Sequence, residues 1–383
     1  MKITFDKDIL EKAVSDSLCA VSEKNTYPAL ERIRFKCEEN GKCLITTFDL
    51  NKGFLTEIDC TCEKGGNYLI EAQKLSKIIK FLPGFTVTIN IDDKNIATIT
   101  SGNAQFTLPV LEGASFPNLP NLDGDEGFSV KSSVIKKMIG EIFFAIAVTD
   151  QRPTLCGALF EVDGEKIKIV SCDGNRLAIR EVKCNIENKT RSSDKELDMR
   201  FIVPGRTLAQ LTRLLEDSEK PLTIHLGRKH VIFRIEEKIF FSRLTEGEYI
   251  DYTRVIPKEQ KISAVVDRAA FISSLERASL ISEERIVGAV RNHVKCDFNG
   301  DTLKVSSTSA SGSVYDEFRV EKEGDDILIG FNCRYLLDAL KSAEGEKVLI
   351  KMTSSLLSII ILPYGEEERE SEFLYMVCPL RIN

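Results

Sequence analysis

The sequence lacks the features of a secreted or membrane-embedded protein. Its first residues, MKITFDKDIL, carry charges where a signal peptide has an apolar core, and no run approaches the roughly 18 apolar residues of a membrane span. We therefore expect a cytoplasmic protein with no membrane contact. The 383 residues are 43% hydrophobic and 29% charged, which is typical of a soluble globular chain with two or three domains.

Paired metal ligands are also missing from the sequence. The eleven cysteines include one Cys-x-Cys, Cys60 and Cys62, but no Cys-x-x-Cys. The three histidines, His225, His230 and His293, do not lie beside such a pair. We therefore expect reduced, mostly buried thiols rather than a disulfide framework, and neither a metal nor another cofactor.

Motifs of the common enzyme classes are absent. The chain contains no GxGxxG, no P-loop, no HExxH and no GxSxG. The acidic run at 365–372, GEEERESE, is more typical of a solvated turn than of catalytic carboxylates. We expect no enzymatic activity. An enzyme with an unrecognised site stays an alternative, which turnover of a nucleotide or DNA substrate would support.

The charge balance argues against a surface that binds nucleic acid everywhere. The formal net charge is −7, whereas phosphate binding needs clustered Lys and Arg. A local basic surface remains compatible with this balance.

One arrangement of segments occurs three times. Each copy has a short strand and an amphipathic helix, then alternating strands after glycine turns, a second helix and a closing strand. The first helices lie in segments that start at Ile3, Phe128 and Ala264, the second at Glu71, Val203 and Phe331, and the closing strands at Ala104, Ile239 and Glu372. Copies of this length are domains, not solenoid repeats. We predict domains at 1–124, 125–257 and 258–383.

The helices are predicted to bury one face and to expose a basic one. In the first helix the buried stripe is predicted to comprise Ile9, Leu10, Ala13, Val14 and Leu18. Lys and Arg occupy the polar faces of all three second helices. A purely structural repeat protein, the second alternative, has no reason to concentrate basic residues on equivalent helices while its overall charge is negative.

Four segments, together with the repeat, resemble the bacterial sliding clamp, the beta subunit of DNA polymerase III. They are SCDGNRLAI at 171–179, EYIDYTRVIP at 248–257, FNCRYLLDAL at 331–340 and YMVCPLRIN at 375–383. The resemblance covers the whole chain and implies an α+β fold of three clamp domains, each with two helices packed on β-sheets. It also implies a head-to-tail homodimer, a six-domain ring whose pore is lined by helices.

The implied function is that of a DNA polymerase processivity factor, which encircles duplex DNA without sequence specificity. Its implied partners are the replicative polymerase, the clamp loader, and repair and replication factors that carry clamp-binding peptides. The basic side chains at pore-lining positions are Lys12, Lys136 and Lys137 on the first helices, Lys74, Lys77, Lys80, Arg206, Arg213, Arg334 and Lys341 on the second, and Lys24 and Arg152 in turns. Such side chains give sequence-independent attraction to phosphate, although each taken singly is equally typical of a solvated helix face.

The resemblance also implies a peptide pocket between domains 2 and 3. The matching positions are Leu155, Cys172, Gly174, Asn175, Arg176, Leu177, Ile250, Arg254, Val255, Asn332, Tyr335, Leu356, Ser358, Met376, Val377, Cys378, Pro379, Leu380 and Arg381. Apolar walls with a few polar anchors suit peptide capture, although many of these residues also suit an ordinary core. Cys172 and Cys378 stand where the family often has Thr and Met, Ile250 where Pro is common, and Asn383 extends the usual end, which puts peptide specificity in doubt.

For the dimer, the resemblance points to Leu280 and Ile281 as the apolar interface pair of domain 3. The end of a buried helix would have the same pattern. The facing surface of domain 1, around SGNAQ at 101–105, lacks the arginines expected from better-known clamps. We therefore expect weaker or relocated ion pairing in that interface.

Overall fold

The computed structural model describes residues 1–22, 26–190, 196–286, 289–310, 312–365 and 371–382. Lys24, Asn383 and residues 366–370 of the acidic run lie outside the described residues. Two helices form in each predicted copy: α1 (Lys7–Ser17), α2 (Ala72–Phe81), α3 (Ser132–Ile142), α4 (Gly205–Leu214), α5 (Arg268–Ser282) and α6 (Cys333–Ser342).

Short strands make up most of the remaining described chain. The first copy contains β1 (Lys2–Asp6), β2 (Arg32–Cys37), β3 (Lys42–Phe48), β4 (Lys52–Asp59), β5 (Thr61–Lys64), β6 (Gly66–Glu71), β7 (Thr86–Ile91), β8 (Ile96–Ser101), β9 (Ala104–Pro109) and β10 (Leu111–Glu112). The second contains β11 (Glu126–Lys131), β12 (Gly157–Asp163), β13 (Lys166–Cys172), β14 (Arg176–Lys183), β15 (Glu187–Asn188), β16 (Asp198–Pro204), β17 (Pro221–Leu226), β18 (His230–Ile235) and β19 (Lys238–Arg243). The third contains β20 (Ile262–Asp267), β21 (Glu283–Ile286), β22 (Ala289–Asn299), β23 (Thr302–Ser309), β24 (Gly312–Arg319), β25 (Glu321–Glu323), β26 (Ile327–Asn332), β27 (Lys347–Met352), β28 (Ile359–Pro363) and β29 (Ser371–Val377).

The strands form sheets within two compact units. The first unit, residues 1–133, 187–195 and 209–244, holds the sheets β5-β1-β7-β8-β9 and β10-β6-β2-β3-β4-β19-β18-β17-β11-β15. The second unit, residues 134–186, 196–208 and 245–383, holds the sheets β16-β12-β13-β14-β29-β28-β27-β20-β25 and β21-β22-β23-β24, with β26 on β22. The β4–β19 pair continues one sheet from the first copy into the second, and the β14–β29 pair does so from the second into the third.

Side-chain caps begin three helices, and two of these, α2 and α6, are the second helices of their copies. Asp6 accepts hydrogen bonds from two backbone amides at the start of α1, Glu71 does so at α2, and Asn332 at α6. These caps satisfy amides that have no partner within the helix. Repetition of the cap supports the repeat seen in the sequence.

The predicted buried stripe of α1 is wrong at Ile9, which is 47% exposed. Leu10, Ala13, Val14 and Ser17 are the buried residues of this helix. They follow the i, i+3, i+4, i+7 pattern, so Ile9 lies one position off the buried face.

The expectation of reduced thiols is wrong at one pair. Cys37 on β2 and Cys43 on β3 are directly opposed across the hairpin, with 4.2 Å between their Cα atoms, and they form a disulfide. Antiparallel pairing brings such residues together whatever the sequence pattern of the other cysteines. The other cysteines of the described chain, nine in number, are free.

Candidate functional site

The C-terminal tail lies at the join between the second and third copies. On β29 Met376 is opposite Leu177, and Val377 is opposite Arg176. Beyond the strand, the Cys378 amide donates to the Asn175 carbonyl at 2.8 Å. The Leu380 amide donates to the carbonyl of Gly330, also at 2.8 Å. The tail is therefore held by backbone bonds to the 173–176 turn and to β26.

Predicted pocket residues from distant segments form one apolar cluster beneath the tail. Leu155, Cys172, Leu177 and Met376 are buried in it, and Ile250 packs against it. The cluster also contains Tyr249 and Tyr252, which the prediction did not include. These buried residues form the floor of the candidate site.

Arg176 is the main polar anchor above this floor. Its guanidinium lies 2.9 Å from Asp173 and 2.8 Å from Asp338, and stacks 4.3 Å from the centre of the Tyr335 ring. Phe144 also lies close to the guanidinium, 5.4 Å away at its ring centre. The prediction missed Asp338 and Phe144, because nothing in their local sequence marks them as neighbours of Arg176.

Exposed apolar side chains occur on the segments around the floor. Leu356 is 69% exposed, Val255 47% and Leu380 41%. Leu357, also 47% exposed, was missed. We define these four residues as the rim.

Several predicted members have other partners. The Asn332 side chain accepts the Arg334 and Tyr335 amides as the α6 cap. Arg254 is 84% exposed at its side chain and lies 2.7 Å from Asp251. Asn332 is thus occupied within its helix, and Arg254 is free to exchange a surface partner for a ligand.

The two unusual cysteines differ in exposure. Cys172 is 5% exposed, and burial raises the pKa of its thiol. Cys378 is half-buried, and the Ser358 hydroxyl donates to its sulfur at 3.4 Å. Pro379 is also half-buried, whereas Arg381 is exposed. The Cys172 thiol therefore acts as a small apolar side chain, while Cys378 lies nearer the surface.

Arg152, predicted to contact DNA, lies beside the pocket turn. Its guanidinium is 3.5 Å from the point that a Cβ on Gly174 would occupy, and Gly174 has a φ of +88° that favours glycine. Arg152 also forms an ion pair with Asp150. Arg152 therefore lies next to Gly174, a residue of the predicted pocket.

The other predicted DNA contacts fall into two groups. Lys12, Lys137, Arg334 and Lys341 have acidic partners, at Glu216, Glu344, Asp338 and Glu276 respectively. No ion-pair partner is present within the described residues for Lys74, Lys77, Lys80, Lys136, Arg206 or Arg213. Of these, Lys136 is half-buried and the rest are at least partly exposed.

The predicted dimer residues lie at the end of α5. Leu280 is 81% exposed and Ile281 is partly exposed. In the facing segment of the first copy, the Ser101 hydroxyl donates to the Thr86 carbonyl, while Gln105 is exposed. Leu280 is therefore not part of the core of its own domain.

A buried charge cluster near the site was not predicted. Arg180 on β14 is fully buried, lies 2.7 Å from Glu141 of α3, and is bonded to Glu344 after α6. Burial raises the pKa of Glu141 to about 7, although Arg180 opposes this change. Lys137 also pairs with Glu344. The cluster ties the second copy to the third.

Metal-ligand groups and membrane-spanning helices do not occur in the described part of the chain. It contains no group of three or more His, Cys, Asp or Glu side chains placed to hold a metal ion. None of its helices is long and apolar enough to cross a membrane.

Three family models of the DNA polymerase III beta subunit match the chain: the N-terminal domain at 1–120, the central domain at 129–251 and the C-terminal domain at 253–377. The beta sliding clamp of Bacillus subtilis is 28% identical over 390 residues, covering all of both chains. A crystal structure of the B. subtilis DNA polymerase sliding clamp matches with a TM-score of 0.91 and 28% identity over the whole of both chains. A Pseudomonas aeruginosa sliding clamp bound to griselimycin matches with a TM-score of 0.88 and 26% identity, again over both whole chains.

Proposed function

The chain belongs to the family of bacterial DNA sliding clamps, the beta subunits of DNA polymerase III, and we propose how its residues carry out that function. It acts as a processivity factor: a ring of two copies encircles duplex DNA and tethers the replicative polymerase and other partners. The clamp loader and repair factors use the same tether. The ring holds DNA by topology, so little affinity for DNA is needed.

The partner site is the groove at the join of the second and third copies. The observation that carries this proposal is the convergence of the tail, the 173–176 turn and α6 around Arg176, above a buried apolar floor. A peptide that places an apolar side chain against the rim and a polar side chain near Arg176 would contact both the apolar and the polar parts of the groove. The predicted pocket set, extended by Asp338, Phe144, Leu357 and Arg152, is our assignment of this site.

The DNA-facing residues are the basic side chains on exposed helix faces. The strongest candidates are those that are exposed and have no acidic partner in the described structure, Lys74, Lys77, Lys80, Arg206 and Arg213. Their charges are available to phosphates, whereas Lys12 and Lys137 would first have to leave Glu216 and Glu344. Contacts of this kind carry no sequence information, which suits sliding.

The copies associate through the first domain of one and the third domain of the other. β9 and β24 are terminal strands of their sheets in the described structure, and Leu280 is exposed on α5 of the third domain. An open sheet edge is stabilised when another strand pairs with it. A head-to-tail contact that closes gives a ring.

Three domains, at 1–124, 125–257 and 258–383, remain our division of the chain. Equivalent helices and closing strands in each copy, and the side-chain caps shared by α2 and α6, support it. No chemical step is assigned to the protein, whose role is to bind and to move along DNA. A factor that works on bacterial chromosomal DNA acts in the cytoplasm.

The experiment that tests this function loads the protein with a clamp loader onto nicked circular DNA and then linearises the DNA. Retention on the circle and loss after linearisation is the expected result, because only topology holds the ring. Equal retention or equal loss on both substrates would overturn the proposal. A labelled polymerase C-terminal peptide, titrated against the same protein, tests the partner site separately.

A further inference from the structure

A cavity of about 540 Å³ lies beside α1, at the first join, where β4 of the first copy pairs with β19 of the second. Its walls come from α1, β4, Glu216 after α4, and the turn between β18 and β19. All of these segments belong to the first compact unit. We name this cavity the α1 groove.

The α1 groove is acidic. Two lysines line it, Lys12 and Lys238, together with six carboxylates, those of Asp8, Asp16, Glu57, Glu216, Glu236 and Glu237. A concave surface with this excess of negative charge repels phosphate and attracts cations. The groove is therefore a poor contact for DNA and a good one for a positively charged ligand.

The two lysines leave part of this charge unpaired. Asp16 lies 2.6 Å from Lys238, and Glu216 lies 3.6 Å from Lys12. The second of these pairs is largely exposed and is therefore weak. Within the described residues, three carboxylates of the groove have no ion-pair partner: Asp8, Glu57 and Glu237.

Apolar side chains form the rest of the wall. Ile9, which lies one position off the buried face of α1, is 47% exposed and lines the cavity with Ala13 and Ile58. A site with apolar walls and a few charged groups suits a ligand that has an apolar and a charged part. The groove thus has a place for both parts of a cationic, partly apolar ligand.

At the second join, where β14 pairs with β29, the corresponding position holds a guanidinium. β4 and β14 each have eight residues, and the fifth is Thr56 in β4 and Arg180 in β14. The Arg180 side chain is fully buried and is bonded to Glu141 and Glu344. Thr56 is much shorter than arginine, and it lines a cavity instead.

Both carboxylates that hold Arg180 have counterparts in the α1 groove. Glu141 and Asp16 are the tenth residues of α3 and α1. Glu344 and Glu216 each lie two residues beyond their helix, α6 or α4. The first join therefore keeps the two carboxylates of a guanidinium site, but Thr56 stands where the second join has its arginine.

The first join also has less side-chain volume around this position. The seventh residue is Ala13 in α1 and Met138 in α3, where it is 1% exposed. Joins of this kind are close-packed when large side chains fill them. The smaller residues at the first join leave the space that a ligand's side chain requires.

We propose that the α1 groove binds an arginine side chain of a partner protein, with an apolar residue beside that arginine in contact with Ile9. The guanidinium lies against Asp16 and Glu216, as that of Arg180 lies against Glu141 and Glu344. Arginine suits this site better than lysine, because its planar group bonds two carboxylates in a fixed geometry. Lys238 keeps its place, since one carboxylate accepts several hydrogen bonds.

The groove is distinct from the proposed partner site. Thr56 and Ile58 lie in the second half of β4, whereas the turn that corresponds to 173–176 precedes β4. The α1 groove is therefore at the other end of its join strand from the place that corresponds to the partner site. The inference does not rest on the proposed function.

Fluorescence anisotropy with the full chain tests the site. The probe is a labelled, end-capped peptide with one arginine between two leucines, and the reference peptide has citrulline, which keeps the shape of arginine without its charge. We expect a dissociation constant below about 1 mM for the arginine peptide at low salt, and binding about tenfold weaker with citrulline. Absence of binding, or equal binding of the two peptides, would overturn the proposal.

Two pairs of substitutions show where the peptide binds. Glu236→Gln with Glu237→Gln removes two carboxylates from the groove and should weaken binding about tenfold. The control, Glu38→Gln with Glu39→Gln, removes the same charge from exposed positions after β2 and should have little effect. Equal weakening in both would attribute the binding to overall charge and overturn the site.

Thr56→Arg tests the comparison between the joins. A guanidinium supplied by the chain itself should raise the melting temperature and abolish binding of the arginine peptide, whereas Thr56→Val, which is close to threonine in size, should bind as wild type does. Wild-type binding in Thr56→Arg would overturn the proposal. If that variant does not fold, the exposed Glu236 and Glu237 substitutions decide. A polymerase C-terminal peptide should bind all of these variants equally, because its proposed site is elsewhere.

Discussion

The Arg176 guanidinium stacks 4.3 Å from the centre of the Tyr335 ring, and so joins the turn of the second copy to α6 of the third. The same guanidinium is 2.8 Å from Asp338. One side chain therefore both holds the join and presents a polar group to the candidate groove. Changes at Arg176 should affect stability and partner binding together.

Arg176→Ala should lower the free energy of unfolding by about 1–3 kcal/mol, because it removes a half-buried cation from two carboxylates and a ring. Peptide affinity should fall about tenfold or more, since a polar anchor of the groove is removed. Urea unfolding and fluorescence anisotropy with a labelled peptide measure the two effects. Arg200→Ala is the matched control, since Arg200 is exposed and 3.4 Å from Glu161. Unchanged peptide affinity in Arg176→Ala would remove Arg176 from the site.

A chain that ends at Cys378 should fold normally and bind peptide poorly. β29 ends at Val377, so this truncation keeps the strand but removes Leu380, its bond to Gly330 and its rim side chain. We expect affinity to fall about tenfold, because the groove no longer has this apolar anchor, with little change in melting temperature. Deletion from Met376 onward would also remove buried core residues, and so makes a poorer test. Wild-type affinity in the shorter chain would contradict our assignment of the tail.

Replacing both Arg206 and Arg213 with Ala should weaken DNA binding and its dependence on salt. The slope of log K against log salt should shrink by about 0.9 for each phosphate that the variant no longer neutralises. The control, Lys166→Ala with Lys168→Ala, removes the same charge from β13, where both lysines pair with Glu181. Titrations on duplex DNA at several salt concentrations measure the slopes. Equal slope changes in both variants would show that the position of the removed charges has no effect on DNA binding.

Lys12→Ala and Lys137→Ala should act mainly on stability. Each lysine has a glutamate partner across a join, at Glu216 or Glu344, and both pairs are largely exposed. The expected decrease is at most about 1 kcal/mol per pair, because exposed ion pairs contribute little. Urea unfolding at low and high salt measures it. The slope of log K for DNA binding against log salt should change little. A change as large as that of the Arg206 and Arg213 variant would show that these lysines contact DNA.

Glu141→Gln should raise stability above neutral pH. Burial raises the pKa of Glu141 to about 7 in the folded chain, so between its unfolded pKa and 7 the folded state binds more protons than the unfolded state. The stability due to this group is therefore fully present below its unfolded pKa and is lost as pH rises to 7. The variant should flatten this decline and add on the order of 2 kcal/mol at pH 8.

Glu344→Gln is the contrasting variant. Burial would raise the pKa of Glu344, but bonds from Lys137 and Arg180 outweigh it and the pKa is lowered. The stability due to this group is present above its unfolded pKa and is lost as pH falls. The variant should thus be less stable than wild type near pH 7. Identical pH profiles of urea unfolding for the two variants would contradict a raised pKa at Glu141 and a lowered pKa at Glu344.

The threefold repeat was readable from the sequence because helix and strand periodicity are local properties. Leu10, Ala13 and Val14 recur at helical spacing, and α1, α3 and α5 lie within the predicted segments. The full-length match to the DNA polymerase III beta subunit family confirms the family resemblance and the α+β clamp fold. The predicted burial was wrong at Ile9, because a change of one residue along the helix moves a side chain off the buried face.

The sequence did not show which charged residues form ion pairs, because ion pairing depends on contacts between residues far apart in sequence. Lys12 and Arg213 look alike as basic residues on helix faces, yet only Lys12 has a carboxylate within reach in the described structure. Arg180 has no local mark of its burial between Glu141 and Glu344. The Cys37–Cys43 disulfide likewise follows from strand pairing.

The sequence by itself determined the family and the three copies, since each follows from a periodic pattern or a motif, and it predicted the segments that we propose form the partner site. Only the tertiary structure decided which basic side chains have no acidic partner within the described residues. Pairing of β4 with β19 and of β14 with β29 brings charges together at two joins and leaves β9 and β24 as terminal strands of the described sheets. Burial and ion pairing depend on those long-range contacts, which no local pattern of residues contains.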